Sequence, residues 1–300
     1  MFPLIPMLLS STQEEVDNFE NPVFIEANTL RTTYSSDYIM HDIKMVDSGQ
    51  TFFSMYRAGS AGNQYVLQYN NTVPYQTNIN SSPAAYIILP TTMITAGFCF
   101  SHDGLTLFCI GRNSNTRHYA YSFTLTTPWD IVSLGTSPTP NSYGLVDTSV
   151  TGLDNTDNLK RIAVSEDGLR LYMTVDTPVT GGNNIVQYDL PSPNVLTGMT
   201  LNQIASVPYV DADNFDVGMI ALLENDTKMV LQYDGYLVTF SLPVDGDSSG
   251  LVLLGTKSVI PLQNGGPNDS LGATIENNGD YYYGIEFDPT DYIIHKYSFQ

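Results

Sequence analysis

An all-β chain closing as a five-bladed β-propeller is what this sequence predicts, and three observations predict it. The 300 residues are 42% hydrophobic but only 14% charged, and their apolar residues alternate in a period of two, with hardly any stretch spaced as an amphipathic helix. A unit of strand, tight turn, strand, loop and strand recurs five times along the chain. The fifth unit ends on its third strand, while a β-prone stretch within residues 23–34 precedes the first unit and is free to supply the missing fourth.

The clearest unit runs from Ala96 to Phe123. Ala96–Ser101 and Leu105–Ile110 are apolar and rich in β-branched and aromatic residues, His102-Asp103-Gly104 forms the turn, and Arg117–Phe123 alternates. The first unit is Ile43–Tyr56 with Gln64–Tyr69, the third Leu159–Val175 with Asn184–Leu190, the fourth Val217–Gln232 with Tyr236–Leu242, and the fifth Gly272–Glu286 with Tyr292–Phe299. The turn position is held by Gly49, Gly104, Gly168, Thr227 and Gly279, so successive units lie 55, 64, 59 and 52 residues apart. Such turns need positive φ, which glycine adopts freely. Thr227 departs from the pattern, and Asn225-Asp226 before it is the expected bend.

Fourth strands are expected at Ala85–Leu89, Asp130–Thr136, Leu201–Val207 and Leu251–Ile260. Residues 23–34 would complete the fifth sheet and remove the open edge of the ring. The expected organisation is a propeller domain over residues 23–300 behind an N-terminal arm, residues 1–22.

That arm opens with nine nearly all apolar residues, broken by Pro3 and Pro6 and without a basic flank. It is short of the roughly 20 apolar residues that cross a bilayer and lacks the form of a secretory signal. The expectation is a segment that docks on a neighbouring subunit; the alternative is that it folds back on its own domain.

Eleven basic against 31 acidic residues give a net charge of −20. Such a surface repels phosphate backbones and anionic lipid headgroups, so neither nucleic acid nor membrane insertion is expected. Cys99 and Cys109, the two cysteines, sit on facing strands of one hairpin and are read as buried free thiols, with a disulfide as the alternative.

Candidate chemistry centres on carboxylates. The loops leading into the innermost strands carry Asp42, Asp154, Asp157, Asp211, Asp213, Asp216 and Asp269, which a propeller would gather at one mouth of its channel. Asp42, Asp157, Asp213 and Asp269 are the candidate ligand-binding residues. Carboxylates so gathered suit Ca²⁺, which takes six to eight oxygen ligands; they equally suit solvated turns. Otherwise no cofactor is expected.

Glu166, Glu224 and Glu276 fall at turns on the opposite rim, away from those Asp residues, which argues against a paired-carboxylate hydrolase. The four histidines, His41, His102, His118 and His295, form no catalytic or metal-binding spacing. Twenty tyrosines suit packing between sheets, and also sugar stacking and protein interfaces.

Ser101-His102-Asp103-Gly104-Leu105-Thr106-Leu107-Phe108, followed by Tyr121-Ser122-Phe123-Thr124-Leu125-Thr126-Thr127-Pro128-Trp129-Asp130, resembles the S-x-D-G-x-x-L-[YF] … Y-x-L-[ST]-T-P-W-D repeat. That repeat belongs to propellers of the YVTN/lactonase-like kind and to many phage and bacterial surface proteins. Ser165-Glu166-Asp167-Gly168-Leu169-Arg170-Leu171-Tyr172 is a second match, whereas units one, four and five are degenerate. The resemblance covers about residues 40–300 and implies the fold. Trp129 is expected at a structural corner opening the outer strand.

The expected function is a non-enzymatic structural or recognition protein on the exterior of a virion: a phage spike, fibre, tail or capsid-decoration subunit, oligomeric. Its arm, residues 1–20, would dock on other virion proteins while the propeller binds a host-surface glycan or protein. The alternatives are a bacterial extracellular adhesin or lectin and, behind it, a glycan hydrolase or lactonase.

Overall fold

The computed structural model describes residues 22–30, 38–58, 63–76, 83–90, 93–113, 117–146, 158–177, 182–207, 217–233, 236–242, 248, 251–259, 272–276, 279–288 and 291–299. Within them lie five four-stranded antiparallel sheets, each a blade of the propeller. The first blade is β2 (Tyr38–Val46), β3 (Thr51–Ala58), β4 (Gln64–Asn70) and β5 (Ala85–Leu89), and the second is β6 (Met93–Phe100), β7 (Thr106–Asn113), β8 (His118–Thr124) and β9 (Ser142–Val146). The third is β10 (Asn158–Val164), β11 (Arg170–Thr177), β12 (Gly182–Asp189) and β13 (Thr200–Ser206); the fourth is β14 (Val217–Leu223), β15 (Lys228–Tyr233), β16 (Tyr236–Ser241) and β17 (Val252–Val259). The fifth orders as β18 (Ala273–Ile275), β19 (Tyr281–Asp288), β20 (Asp291–Phe299) and then β1 (Pro22–Leu30), the first strand of the chain. Pro22 faces Phe299 and Leu30 faces Tyr292, so the ring closes as the sequence predicts.

The apolar core is divided among the joints between blades. Five buried clusters each straddle two neighbouring blades, as wedge-shaped sheets packed face to face require. Tyr56, Tyr172, Tyr188, Tyr282, Tyr283 and Tyr297 are among the largest fully buried side chains, which supports a packing role for much of the tyrosine.

Polar locks join blades near their outer strands. Gln68 Oε1 of the first blade accepts from Ile131 N of the second at 3.0 Å. Ser142 Oγ of the second accepts from Leu196 N and Thr197 N of the third, both at 2.9 Å. Gln187 Oε1 of the third accepts from Ser248 N at 2.9 Å, and Lys296 Nζ of the fifth donates to Tyr75 O of the first at 2.9 Å. In each case a loop between third and fourth strands inserts into the groove of the preceding blade.

The second blade corrects one expectation. Residues 130–136 do not form its outer strand. Ile131–Leu134 is a 3-10 turn, capped by Asp130, whose side chain accepts from Val132 N at 3.0 Å. Its buried residue, Ile131, plugs the groove beside the first blade. The outer strand is Ser142–Val146, which alternates buried and exposed. Trp129 therefore sits on the turn of its own blade: it takes φ 57° and its N–H donates to Gly104 O at 3.0 Å. A Cβ on Gly104 would fall 2.4 Å from the indole.

The turns explain the S-x-D-G pattern. Ser101 Oγ donates to Asp103 Oδ1 at 2.6 Å and accepts from Thr106 N at 2.9 Å, while Leu105 N donates to the same carboxylate oxygen at 3.0 Å. Ser165 and Asp167 repeat the arrangement at 2.6 and 2.8 Å, with Leu169 N donating at 2.9 Å. Burial alone would raise the pKa of Asp167, but the Ser165 hydroxyl and the Leu169 N–H, with Arg170 nearby, hold it below the ordinary carboxylate value.

Candidate functional site

The innermost strands carry a matching irregularity near their first halves. Register slips between Met40 and Asp42, Thr95 and Gly97, Leu159 and Arg161, and Val217 and Met219, leaving His41, Ala96, Lys160 and Gly218 as bulge residues. A bulge bends the strand and frees a peptide group from the ladder. Here the freed carbonyls are taken up by one guanidinium. Arg161 Nε donates to Gly218 O at 2.6 Å, and its Nη1 donates to Ala96 O at 3.0 Å and Lys160 O at 2.8 Å.

Asp42 completes this axial seal. Its Oδ1 accepts from Ile43 N at 2.9 Å and Lys44 Nζ at 3.3 Å, and lies 4.0 Å from Arg161 Nε; its Oδ2 accepts from Phe98 N at 3.2 Å. The fifth blade joins through Gly272 N, which donates to His41 O at 3.2 Å. A Cβ at Gly272 would lie 2.3 Å from the Asp42 Cα, so only glycine fits there. Burial, and then the charges of Arg161 and Arg57, lower the pKa of His41 to about 4. It stays neutral beside the guanidinium.

Asp42 is thus a buried member of the seal, within strand β2, and not a loop carboxylate at an open mouth. Asp157, Asp213 and Asp269, like Asp154, Asp211 and Asp216, lie outside the described residues. Among the described residues no group of three or more His, Cys, Asp or Glu side chains is arranged to hold a metal.

Open space lies at the other end of the channel. A cavity of about 560 Å³ runs from Lys44 up to the turns after the innermost strands. Val46, Phe100, Val164 and Ala221 contribute to its wall, and His102, Glu166, Glu224 and Asp226 are at its rim. The rim groups are engaged. His102 Nε2 is 3.8 Å from Glu166 Oε1, Glu224 pairs with Lys228 at 2.7 Å, and Asp226 Oδ2 accepts from Glu166 N at 2.7 Å. Burial raises the pKa of Asp226.

At one place the rim lacks the turn glycine of the other blades. Glu224, Asn225 and Asp226 all take left-handed backbone, φ 52°, 56° and 62°; the first blade shows the same run at Asp47, Ser48 and Gly49, φ 53°, 51° and 77°, so the fourth blade differs by having Asp226 where the first has glycine. Thr227 is not the residue at positive φ, and the bend falls on the three residues before it.

Both cysteines are free. Cys99 pairs across the hairpin with Phe108, and Cys109 with Phe98, so the two thiols point to opposite faces of the sheet. Cys99 packs toward the third blade and Cys109 toward the first. Burial pushes the Cys99 thiol up to about 12, which leaves it protonated and unreactive.

Sequence reasoning missed Arg161, Lys44 and the cavity. A basic residue inside a buried innermost strand, Lys160-Arg161 in an otherwise apolar run, was the available signal.

No family model matches the sequence, and no curated protein matches it. Among solved structures, the chain is similar to hydrazine synthase of Kuenenia stuttgartiensis, at 13% identity over 84% of this chain and 70% of that one, with a TM-score of 0.46. It is also similar to a chain of the nidogen/laminin complex, at 9% identity over 83% and 73%, TM-score 0.46. A protein assigned as a 6-phosphogluconolactonase in Bacteroides fragilis matches at 10% identity over 74% and 55%, TM-score 0.44. At such identities the likeness is one of geometry and carries nothing about activity or partners.

Proposed function

We propose that this propeller is a non-enzymatic recognition protein of the YVTN/lactonase-like repeat type, carried on the exterior of a virus particle. Residues 1–20 dock it on other virion proteins, and the propeller presents its circumference to a host-surface glycan or protein. The observation that supports recognition is the outer strands, which leave apolar side chains in water. Tyr143 is 62% exposed and Val252 59%, with Tyr86, Leu145 and Ile204 also exposed. Tyr119 lies between Tyr121, tilted at 5.8 Å, and Tyr143, edge-on at 6.3 Å, a cluster of rings of the kind that meets a sugar face.

Removing residues 1–20 tests the reading. The truncated chain is expected to stay folded by circular dichroism while losing co-sedimentation with virions. Equal incorporation of the truncated chain, or absence of the intact chain from particles, would end the virion reading. Turnover of glycans or lactones by the intact protein would favour the hydrolase.

A further inference from the structure

We infer that the funnel above the axial seal is a binding site for an amphipathic monoanion, its negative head on Lys44 and its apolar body against Val46, Phe100, Val164 and Ala221. This goes beyond the virion reading and does not depend on where the protein docks.

Three observations carry it. The first is charge. The seal holds one carboxylate, Asp42, between two cations, Lys44 and Arg161, so the described residues at the funnel floor are formally one positive charge in excess. Arg161 is committed to backbone carbonyls. Lys44 has three N–H donors but, among the described residues, one hydrogen-bond acceptor, Asp42 Oδ1 at 3.3 Å, and one ring face, that of Phe98 with its centroid at 5.7 Å; its side chain is 12% exposed. A largely buried ammonium so sparsely bonded is stabilised by an arriving anion.

The second is shape. The cavity of about 560 Å³ falls within the range of small-molecule sites. Lys44 stands three residues beyond the bulge level, and His102, Glu166 and Glu224 stand six beyond it, so the funnel is about 10 Å deep at roughly 3.3 Å per strand residue. That depth accepts a chain of about eight carbons. The third is the rim. Glu166, Glu224 and Asp226 repel a second negative charge, which selects a monoanion over a dianion or polyanion.

Trp129, the single tryptophan, lines the cavity and packs edge-on against Phe100 at 5.4 Å, so its fluorescence reports on the site. Titration with octanoate is expected to change that fluorescence saturably, with octanol and octylamine binding at least tenfold more weakly. Lys44→Met is expected to weaken octanoate at least tenfold and to bring it level with octanol. Ala221→Phe, which fills the funnel and leaves Lys44 and Asp42 untouched, is expected to abolish the response without lowering the melting temperature. The proposal is overturned if octanoate gives no saturable change, if Lys44→Met binds it as tightly as the parent, or if octylamine binds as well as octanoate. Should Lys44→Met fail to fold, the octanoate-to-octanol ratio in the parent and the Ala221→Phe response decide the matter.

Discussion

The two ends of the innermost strands solve the same crowding problem in opposite ways. At the bulge end five strands converge on one guanidinium and one carboxylate, and groups from every blade take part in the seal. At the turn end each hairpin is closed largely by its own residues, as Ser101 and Asp103 close the second blade, and a cavity opens between the blades. Where hydrogen bonds between blades gather on the axis the channel is shut; where the turns are closed mainly within blades, and neighbours touch only around the rim as Glu166 N and Asp226 do, it is open. Rigidity and access are thereby divided along a single set of strands.

The largest effect is expected from breaking the sealed end. Arg161→Met strands three buried carbonyls and leaves Asp42 with Lys44 as its remaining cation, a loss of about 3–5 kcal/mol by analogy with broken buried pairs, read from chemical denaturation. At the open end, Gly104→Val forces a branched side chain into left-handed backbone against Trp129, and a loss of about 2 kcal/mol or more is expected. Thr227→Gly, one residue past the left-handed positions of the fourth blade, relieves no backbone strain and removes an exposed hydrogen bond to Glu224 O, so a small loss is expected in the same assay. Ser165→Ala removes a fully buried hydroxyl that both donates and accepts, with an expected cost of about 1–2 kcal/mol.

Acid titration separates two carboxylates of the open end. Asp167 is held below the ordinary carboxylate range in the folded chain, so its contribution is present above the unfolded pKa and is lost as pH falls through the folded pKa. Asp226 is raised above 3.8, so its ionisation costs stability as pH climbs from the unfolded to the folded value. Asp167→Asn should therefore lower the urea midpoint at neutral pH and flatten its fall in acid, whereas Asp226→Asn should raise the midpoint at neutral pH. The smallest effect is expected from Asn225→Gly, a gain of about a few tenths of a kcal/mol, since asparagine already tolerates left-handed backbone.

The sequence was legible where structure is local. A period of two and a turn residue are readable within 20 residues, and their recurrence every 52 to 64 residues placed the inner strands of all five blades, three of the four expected outer strands and the β1 closure. Ser142–Val146 escaped because its middle residue is Gly144, a poor strand former. That glycine answers to a distant neighbour: a Cβ there would meet Met199 Sδ at 2.6 Å. Arg161, and the pairing that buries Asp42 beside it, escaped for the same reason at greater range, the two being 119 residues apart and joined across the axis. Chain position says that each is charged. Which bulges meet is decided by the closed ring.

Ring closure has a consequence for how the protein is made. Pro22–Leu30 is synthesised well before its partner, Asp291–Phe299, because the four other blades lie between them in the sequence. At roughly 5–20 residues per second the first strand waits on the order of a quarter of a minute to a minute for a mate. Val23, Phe24 and Ile25 remain exposed even after pairing, so the nascent strand is a sticky edge throughout that interval. Cotranslational assembly can stack the intermediate blades in sequence, but the circle is completed only once Asp291–Phe299 has been made, and a product that stalls before that strand is left with two unmated edges.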